Sequence, residues 1–384
     1  MQINSLEHQW LQFLASENSC LLETARDKKV YLAQNLIGVF SSFKETLAYL
    51  AKNPDLLDLD DIGFIALKSY DGKEYIQLYS EILEDENPSI PQAQSAIKAD
   101  ISYPDKNLYF KAIEKCQKHI YEGDIYQANL CHKFDVNIQE DLELPELKER
   151  IYSRLRELNP ANYMALSEFE DWIIFSSSPE SFLKINFDED FVLRTTPIKG
   201  TAKLGESLEE LKNDKESAEH IMIVDLIRND FGKIAQTGSV SVENLLQDTQ
   251  HTNLQHLEST IKSTLLNELV IDINGLKIPN FAGIFNALAP GGSITGAPKI
   301  RSMQIIDELE SNPRGPFTGN LGFYKFKEQK GEFNILIRSI FFNKKTNDLF
   351  FNTGAGITSA SNAQKEYEET LLKAQKLIEV FDAI

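Results

Sequence analysis

The sequence predicts an α+β fold, and three observations carry that reading. Long strand-like runs rich in Ile, Val, Phe and Tyr recur along the chain. Helical patterns fall between groups of these runs instead of alternating with them one for one, as a doubly wound parallel sheet would require. Finally, 42% of the 384 residues are hydrophobic, enough for a substantial core.

Residues 1 to about 100 alternate short amphipathic helices with strand-like runs, IGFIALKSY from Ile62 and KEYIQLYSEIL from Lys73. They end in ENPSIPQAQS, a polar stretch with two prolines, which sets the expected boundary between an N-terminal region (1–100) and a catalytic region (101–384). From Pro104 onward the pattern predicts a helix from Lys106 to Glu122 and a strand at IYQANLCHKF. A helix at LPELKERIYSRLRELN and strands at WIIFSS and FVLRTTPI follow. A helical pattern then covers 207–231 and leads into further helices. A strand-rich run from Gly319 to Gly356 comes next, and a helix starting near Ser361 closes the chain.

Charge narrows the function classes. The chain carries 58 acidic against 39 basic side chains, a net charge of −19, without a local basic run. Such a surface repels phosphate backbones and anionic headgroups, which argues against nucleic acid and membrane partners. The N-terminus lacks a basic segment followed by an apolar stretch, and no run approaches the roughly 18 apolar residues of a spanning helix, so a cytoplasmic location is expected. Cys20, Cys116 and Cys131 are scattered and form no Cys-x-x-Cys, so they read as structural.

Five segments could carry chemistry. In KESAEHIMIVDLIRND, Glu219 stands at helical spacing from Met222, Ile223 and Leu226, within an apolar stripe. An ionised carboxylate there needs a metal ion or a buried cation beside it. Glu216, on the adjoining edge, also fits a capping box begun by Asn213. In NAQKEYEETLLKAQKLI, Glu366, Glu369 and Lys373 share a narrow stripe. If the two helices converge, four carboxylates would suit a hard divalent cation such as Mg²⁺; otherwise the second set is a solvated face with one Glu–Lys pair. APGGSITGAPK (289–299) and NTGAGIT (352–358) present small residues that fit either backbone anion cradles or tight turns. Lys199, between Pro197 and Gly200 in TTPIKGTAK, is either a lysine held in a pocket with a lowered pKa or an ordinary loop lysine.

Taken in order, these segments resemble a known family. GDIYQANL (123–130), SSPESF (177–182), PIKGT (197–201), AEHIMIVDLIRND (218–230) and HLEST (256–260) are followed by GGSITGAPKIRSMQIIDELE (291–310) and RGPFTGNLGF (314–323). ILIRS (335–339), TGAGI (353–357) and EYEETLLKA (366–374) complete the set. It resembles the chorismate-utilising enzymes, which include the first components of anthranilate and aminodeoxychorismate synthase, isochorismate synthase and salicylate synthase. The resemblance covers about 260 residues; the first hundred match only loosely.

The resemblance implies two large, mostly antiparallel sheets packed as a sandwich with helices outside. It places Mg²⁺ on Glu219 and Glu369, with Glu216 and Glu366 adjoining, where the ion grips the substrate's C1 carboxylate. Arg338, Lys373 and the Gly356 amide fall on positions that hold the enolpyruvyl carboxylate, while Gly200 and Thr201 line the ring pocket. Glu180 matches the general acid toward the departing C4 hydroxyl, and His256 the histidine near that leaving group. Lys199 stands where anthranilate-forming members have alanine and marks the branch that aminates chorismate at C4, in para-aminobenzoate and folate synthesis. The isochorismate-forming branch has a lysine at the position of Gln127. Ammonia in the aminating members comes from a separate glutamine amidotransferase subunit, so such a partner is implied.

Three features depart from this pattern or stay open. Phe317 and Phe323 stand where tyrosines are frequent in the family. Leu21 to Thr24 resembles part of a tryptophan site, but also fits a strand ending in a polar turn. Amination at C2, or a non-catalytic chorismate-binding homologue, are the rival readings.

Overall fold

The computed structural model describes residues 13–24, 29–85, 95–187, 190–203, 214–251 and 254–383. The side chains of 199–203, 214–216, 218, 250, 251, 254–256 and 383 fall outside that description.

The strands of the first half are β1 (Cys20–Thr24), β2 (Lys29–Phe40), β3 (Gly63–Lys68), β4 (Glu74–Asp85) and β5 (Ile97–Ser102). They continue with β6 (Gln127–Ile138), β7 (Tyr163–Glu168), β8 (Trp172–Ser178), β9 (Ser181–Phe187), β10 (Phe191–Thr195) and β11 (Ile198–Lys203). The later strands are β12 (Ser241–His251), β13 (Leu254–Thr264), β14 (Val270–Ile273), β15 (Leu276–Pro279) and β16 (Gly296–Ala297). The last group is β17 (Asn320–Lys325), β18 (Lys330–Ile335), β19 (Ser339–Asn343), β20 (Asp348–Ile357) and β21 (Phe381–Ala383). The described α-helices are α1 (Phe43–Lys52), α2 (Lys106–Tyr121), α3 (Leu144–Leu158), α4 (Asp214–Gly232), α5 (Phe281–Leu288), α6 (Lys299–Leu309) and α7 (Ala363–Ile378). None of these is long and apolar enough to cross a membrane.

Pairing assembles two antiparallel runs that meet at β4. One proceeds β4–β2–β1–β7–β8–β19–β20–β6–β5. The other proceeds β4–β3–β17–β18–β9–β10–β13, and β13 also pairs with β11 and β12. Among the described strands only β21, against β5, is parallel. Strands from before residue 100 therefore hydrogen-bond strands from after it, and the pairing crosses the expected domain boundary.

Many of these strands are apolar on both faces, which explains runs such as SIFFN and DLFFN. Phe341 and Phe350 point into a cluster with Leu22, Ile65 and Phe323, which draws on both runs and forms the sandwich interior. Their neighbours Ile340 and Phe351 point the other way, under Leu147, Ile151 and Leu155 of α3 and Ala374 and Leu377 of α7. The outer face of the second run is covered by α1, α4 and α5 through Phe43, Phe231, Phe281 and Phe285. The helix–sheet–sheet–helix layering is the predicted α+β sandwich.

Two expectations need correction. The stretch after α4 does not continue as helix: β12 (Ser241–His251) and β13 (Leu254–Thr264) form a long antiparallel ladder, and the other edge of β13 pairs with β10 and β11 in succession. The segment FVLRTTPI is not one strand either, because it breaks after Thr195 and resumes at Ile198.

Candidate active site

The described residues among those predicted sit on both runs and on the helices that cover them. Glu180 lies between β8 and β9, where the Ser178 hydroxyl accepts the Glu180 N–H at 3.2 Å and fixes the turn. Its carboxyl is buried, and burial pushes its pKa up to about 7, opposed by a hydrogen bond from Ser293 and the charge of Lys373. Such a group holds a proton near neutrality and can release it to a leaving oxygen.

Ser293 belongs to the GGSITGAPK segment, a 3₁₀ turn over Gly292–Ile294. A Cβ on Gly292 would sit 2.8 Å from Leu226 Cδ2, so the glycine lets α4 close on the turn. The Asn129 amide donates to the Ser293 carbonyl at 2.8 Å, tying the turn to β6. Glu180, Ser293, Ile227, Asp230 and Phe231 line one cleft.

Glu219 meets this region from α4. A Cβ added to Gly356 would lie 3.4 Å from Glu219 Oε1, 3.3 Å from Asn129 Oδ1 and 3.6 Å from Gln127 Nε2. The glycine therefore keeps open a cradle rimmed by oxygen donors. Gln127 is 2% exposed, and its Oε1 has no hydrogen-bond partner among the described residues. The most buried face of α4 is not the stripe predicted around Glu219. It runs through His220, Val224 and Phe231, and Glu219 stands half-buried beside it. His220 was not singled out by sequence reasoning; its Nε2 lies 2.7 Å from Ser259 Oγ and joins α4 to β13.

On α7, Lys373 Nζ lies 2.6 Å from Glu369 Oε1 and donates to the Gly354 carbonyl at 2.9 Å. Arg338 takes up a left-handed backbone, φ 53°, between β18 and β19, and its Nη1 donates to the Lys373 carbonyl at 3.1 Å. Burial lowers the Arg338 pKa while the Glu369 charge opposes that shift. A non-glycine residue held at positive φ with a buried guanidinium is the kind of strained feature that clusters at functional sites. Glu366 is half-buried one turn before Glu369, and both carboxylates act electrostatically on Tyr109.

The side chains of Lys199, Gly200, Thr201, His256 and Glu216 lie outside the described residues. Their backbones are placed: Thr201 pairs with His256 and Lys199 with Leu257, across a bulge at Gly200. Bulges re-aim side chains and are frequent beside active sites.

The described residues hold one three-ligand group with donor atoms all within 4.8 Å of one another, His119, Glu122 and Asp124. It is not the predicted glutamate set. Asp124 is committed there to His119 and Arg301, at 2.7 and 2.8 Å. The Glu219–Gly356–Asn129 cradle fits a hard cation by donor chemistry, since it offers carboxylate and amide oxygens and no sulfur or imidazole.

Comparison with known proteins matches residues 46–379 to the chorismate binding enzyme family. The component 1 of aminodeoxychorismate synthase from Bacillus subtilis (strain 168) is 35% identical over 274 residues, 69% of this chain and 54% of that protein. The component 1 of anthranilate synthase from Aquifex aeolicus (strain VF5) is 34% identical over 285 residues, 72% of this chain and 53% of that protein. The chain thus spans about half the length of these curated relatives. Among solved structures, a 2,3-dihydroxybenzoate-specific isochorismate synthase from Bacillus anthracis superposes with TM-score 0.75 at 19% identity, covering 98% of this chain and 99% of that one. Component I of anthranilate synthase from Streptococcus pneumoniae gives 0.69 at 24%, covering 90% and 91%. Both likenesses concern the fold. With its sequence matched to the family over most of its length, the chain belongs to the chorismate binding enzymes.

Proposed function

We propose that this chain aminates chorismate at C4 to give 4-amino-4-deoxychorismate, the step toward para-aminobenzoate and folate. Relatives that aminate at either position are about equally similar, so the choice between C2 and C4 rests on one observation: Lys199 in PIKGT, at the bulge of β11. Glu219 and Glu369, with Glu216 and Glu366 adjoining, would hold Mg²⁺, which neutralises substrate carboxylate charge when bound. Arg338, Lys373 and the Gly356 amide receive the enolpyruvyl carboxylate, and Gly200 and Thr201 line the ring.

The Lys199 amine attacks C2, the two conjugated ring double bonds shift from C1=C2 and C5=C6 to C1=C6 and C4=C5, and the C4–O bond breaks. Glu180, protonated near pH 7, gives its proton to the departing hydroxyl, which leaves as water with His256 beside it. Ammonia then adds at C4, both double bonds shift back, and the C2–N bond to Lys199 breaks, with one ammonia proton lost. Covalent catalysis divides one hindered displacement into two conjugate ones. The ammonia is supplied by a glutamine amidotransferase partner.

Intact mass spectrometry tests the step directly. Protein given chorismate and Mg²⁺ without ammonia should gain an adduct of chorismate less one water, and Lys199→Ala should gain none. An adduct retained by that variant contradicts the assigned nucleophile.

A further inference from the structure

Asn129, in GDIYQANL, connects two parts of the candidate site. On β6 it stands opposite Gly356 of β20, and both its backbone groups turn to the other edge. There its N–H donates to the Thr295 carbonyl at 2.7 Å, and its carbonyl accepts from Arg314 Nη2 at 2.7 Å. Asn129 and Gly356 therefore form a non-hydrogen-bonded antiparallel pair, the type whose side chains stand closer together. Gly356 brings no side chain of its own, so the Asn129 amide reaches over it. Asn129 Oδ1 lies 3.3 Å from where a Cβ would be, beside Glu219 Oε1.

The nitrogen of the same amide serves the acid. It donates to the Ser293 carbonyl at 2.8 Å, while the Ser293 hydroxyl donates to the buried Glu180 carboxyl. Three successive carbonyls around this turn are tied down from one side. Asn129 Nδ2 holds that of Ser293, Arg314 Nη1 holds that of Ile294 at 2.9 Å, and the Asn129 N–H holds that of Thr295. Arg314 is itself fixed: it is 3% exposed and bonds both Glu310 carboxylate oxygens, at 2.6 and 2.9 Å. The backbone that carries Ser293 is thus placed chiefly by one residue of β6 and the arginine bound to it.

We propose that Asn129 is a positioning residue for the acid step: its amide holds the 292–294 turn so that the Ser293 hydroxyl stays on Glu180, while its oxygen faces the Gly356 cradle. This role rests on the reading of Glu180 as the acid. Among the described residues, the charges beside that carboxyl are Lys373, which acts on it directly, and Asp230 across the cleft, which is paired with Lys233 at 2.7 Å and with Lys299. Asn129 is neutral, so exchanging it for another neutral residue moves the Glu180 titration only by moving the turn.

The Glu180 carboxyl is titrated in the whole chain, without substrate, by infrared difference spectroscopy, with Glu180→Gln identifying its band. Ser293→Ala removes a hydrogen bond that favours the carboxylate, so the midpoint should rise by about half to one pH unit. Asn129→Ala should raise it similarly, and so should Asn129→Leu, which keeps the side-chain volume and guards against a folding defect. In the Ser293→Ala background, Asn129→Ala should add nothing, because the two residues act in series. The alkaline limb of kcat should move with the midpoint in each single variant. The proposal is overturned if the Asn129 variants or Ser293→Ala leave the midpoint in place, or if the shifts add. Turnover of Glu180→Gln is read separately: a rate equal to the parent's would contradict the acid assignment itself, even where the midpoints shift as expected.

Discussion

Strands β6 and β20 border two polar regions a few residues apart, and the two are built in opposite ways. Around Gln127, Asn129 and Gly356 the surroundings are ionic: Glu219 of α4 reaches Gly356, while Lys373 of α7 pairs with Glu369 and binds the Gly354 carbonyl. Around His132 and Asn352 the charges are already neutralised, and the free polar atoms belong to an imidazole and an amide. Strand pairing supplies similar backbone to both. The helices laid on the sheet decide which side chains face each region, ionic in the first and neutral in the second.

Changing Lys199 to Ala breaks the first region most severely. C4 amination should fall on the order of 10⁴-fold in steady-state assays, because no other amine replaces the nucleophile. Glu180→Gln should cost roughly 10²-fold or more in kcat, and it should remove the alkaline limb near pH 7 that is expected of the parent.

The same carboxyl makes a stability prediction of known sign. Its pKa is raised from 4.5 to about 7 on folding, so its contribution is fully present below pH 4.5 and is lost as pH rises through 7. Denaturant melts at pH 8 should therefore find Glu180→Gln more stable than the parent, by up to about 3 kcal/mol, with the advantage gone at pH 4.

Gly356→Ala is a milder break. The new Cβ presses on Glu219 Oε1 and Asn129 Oδ1 at 3.4 and 3.3 Å, so KM for chorismate should rise about tenfold while the melting temperature barely moves. Smallest in activity is His132→Phe, which should leave turnover unchanged at pH 7. His132 has its pKa lowered from 6.5 to about 4, so its contribution is present above pH 6.5 and lost as pH falls through 4. The variant should flatten the parent's loss of stability across that window.

Much of the fold is legible in the chain because several elements carry their own signals. Asp105 caps α2, Pro145 opens α3 and Asn362 caps α7, and each was placed within a residue or two. The β12–β13 ladder was not, because SVENLLQDTQH and LQHLESTIKST are rich in Leu, Gln and Glu and carry little β-branched patterning. Pairing makes them strands: β13 with β10 and β11, and β12 with β13. The candidate site was readable as a list of motifs in order, and the structure links Glu180 and Arg338 to Lys373 and Glu219 to Gly356. Its supporting contacts were not readable: the bond from Asn129 to the Ser293 carbonyl joins residues 164 apart.

The central claim, amination at C4, is tested most directly by the product. Purified protein with chorismate, Mg²⁺ and ammonium, followed by an aminodeoxychorismate lyase, should yield para-aminobenzoate. Anthranilate formed in its place would contradict the account.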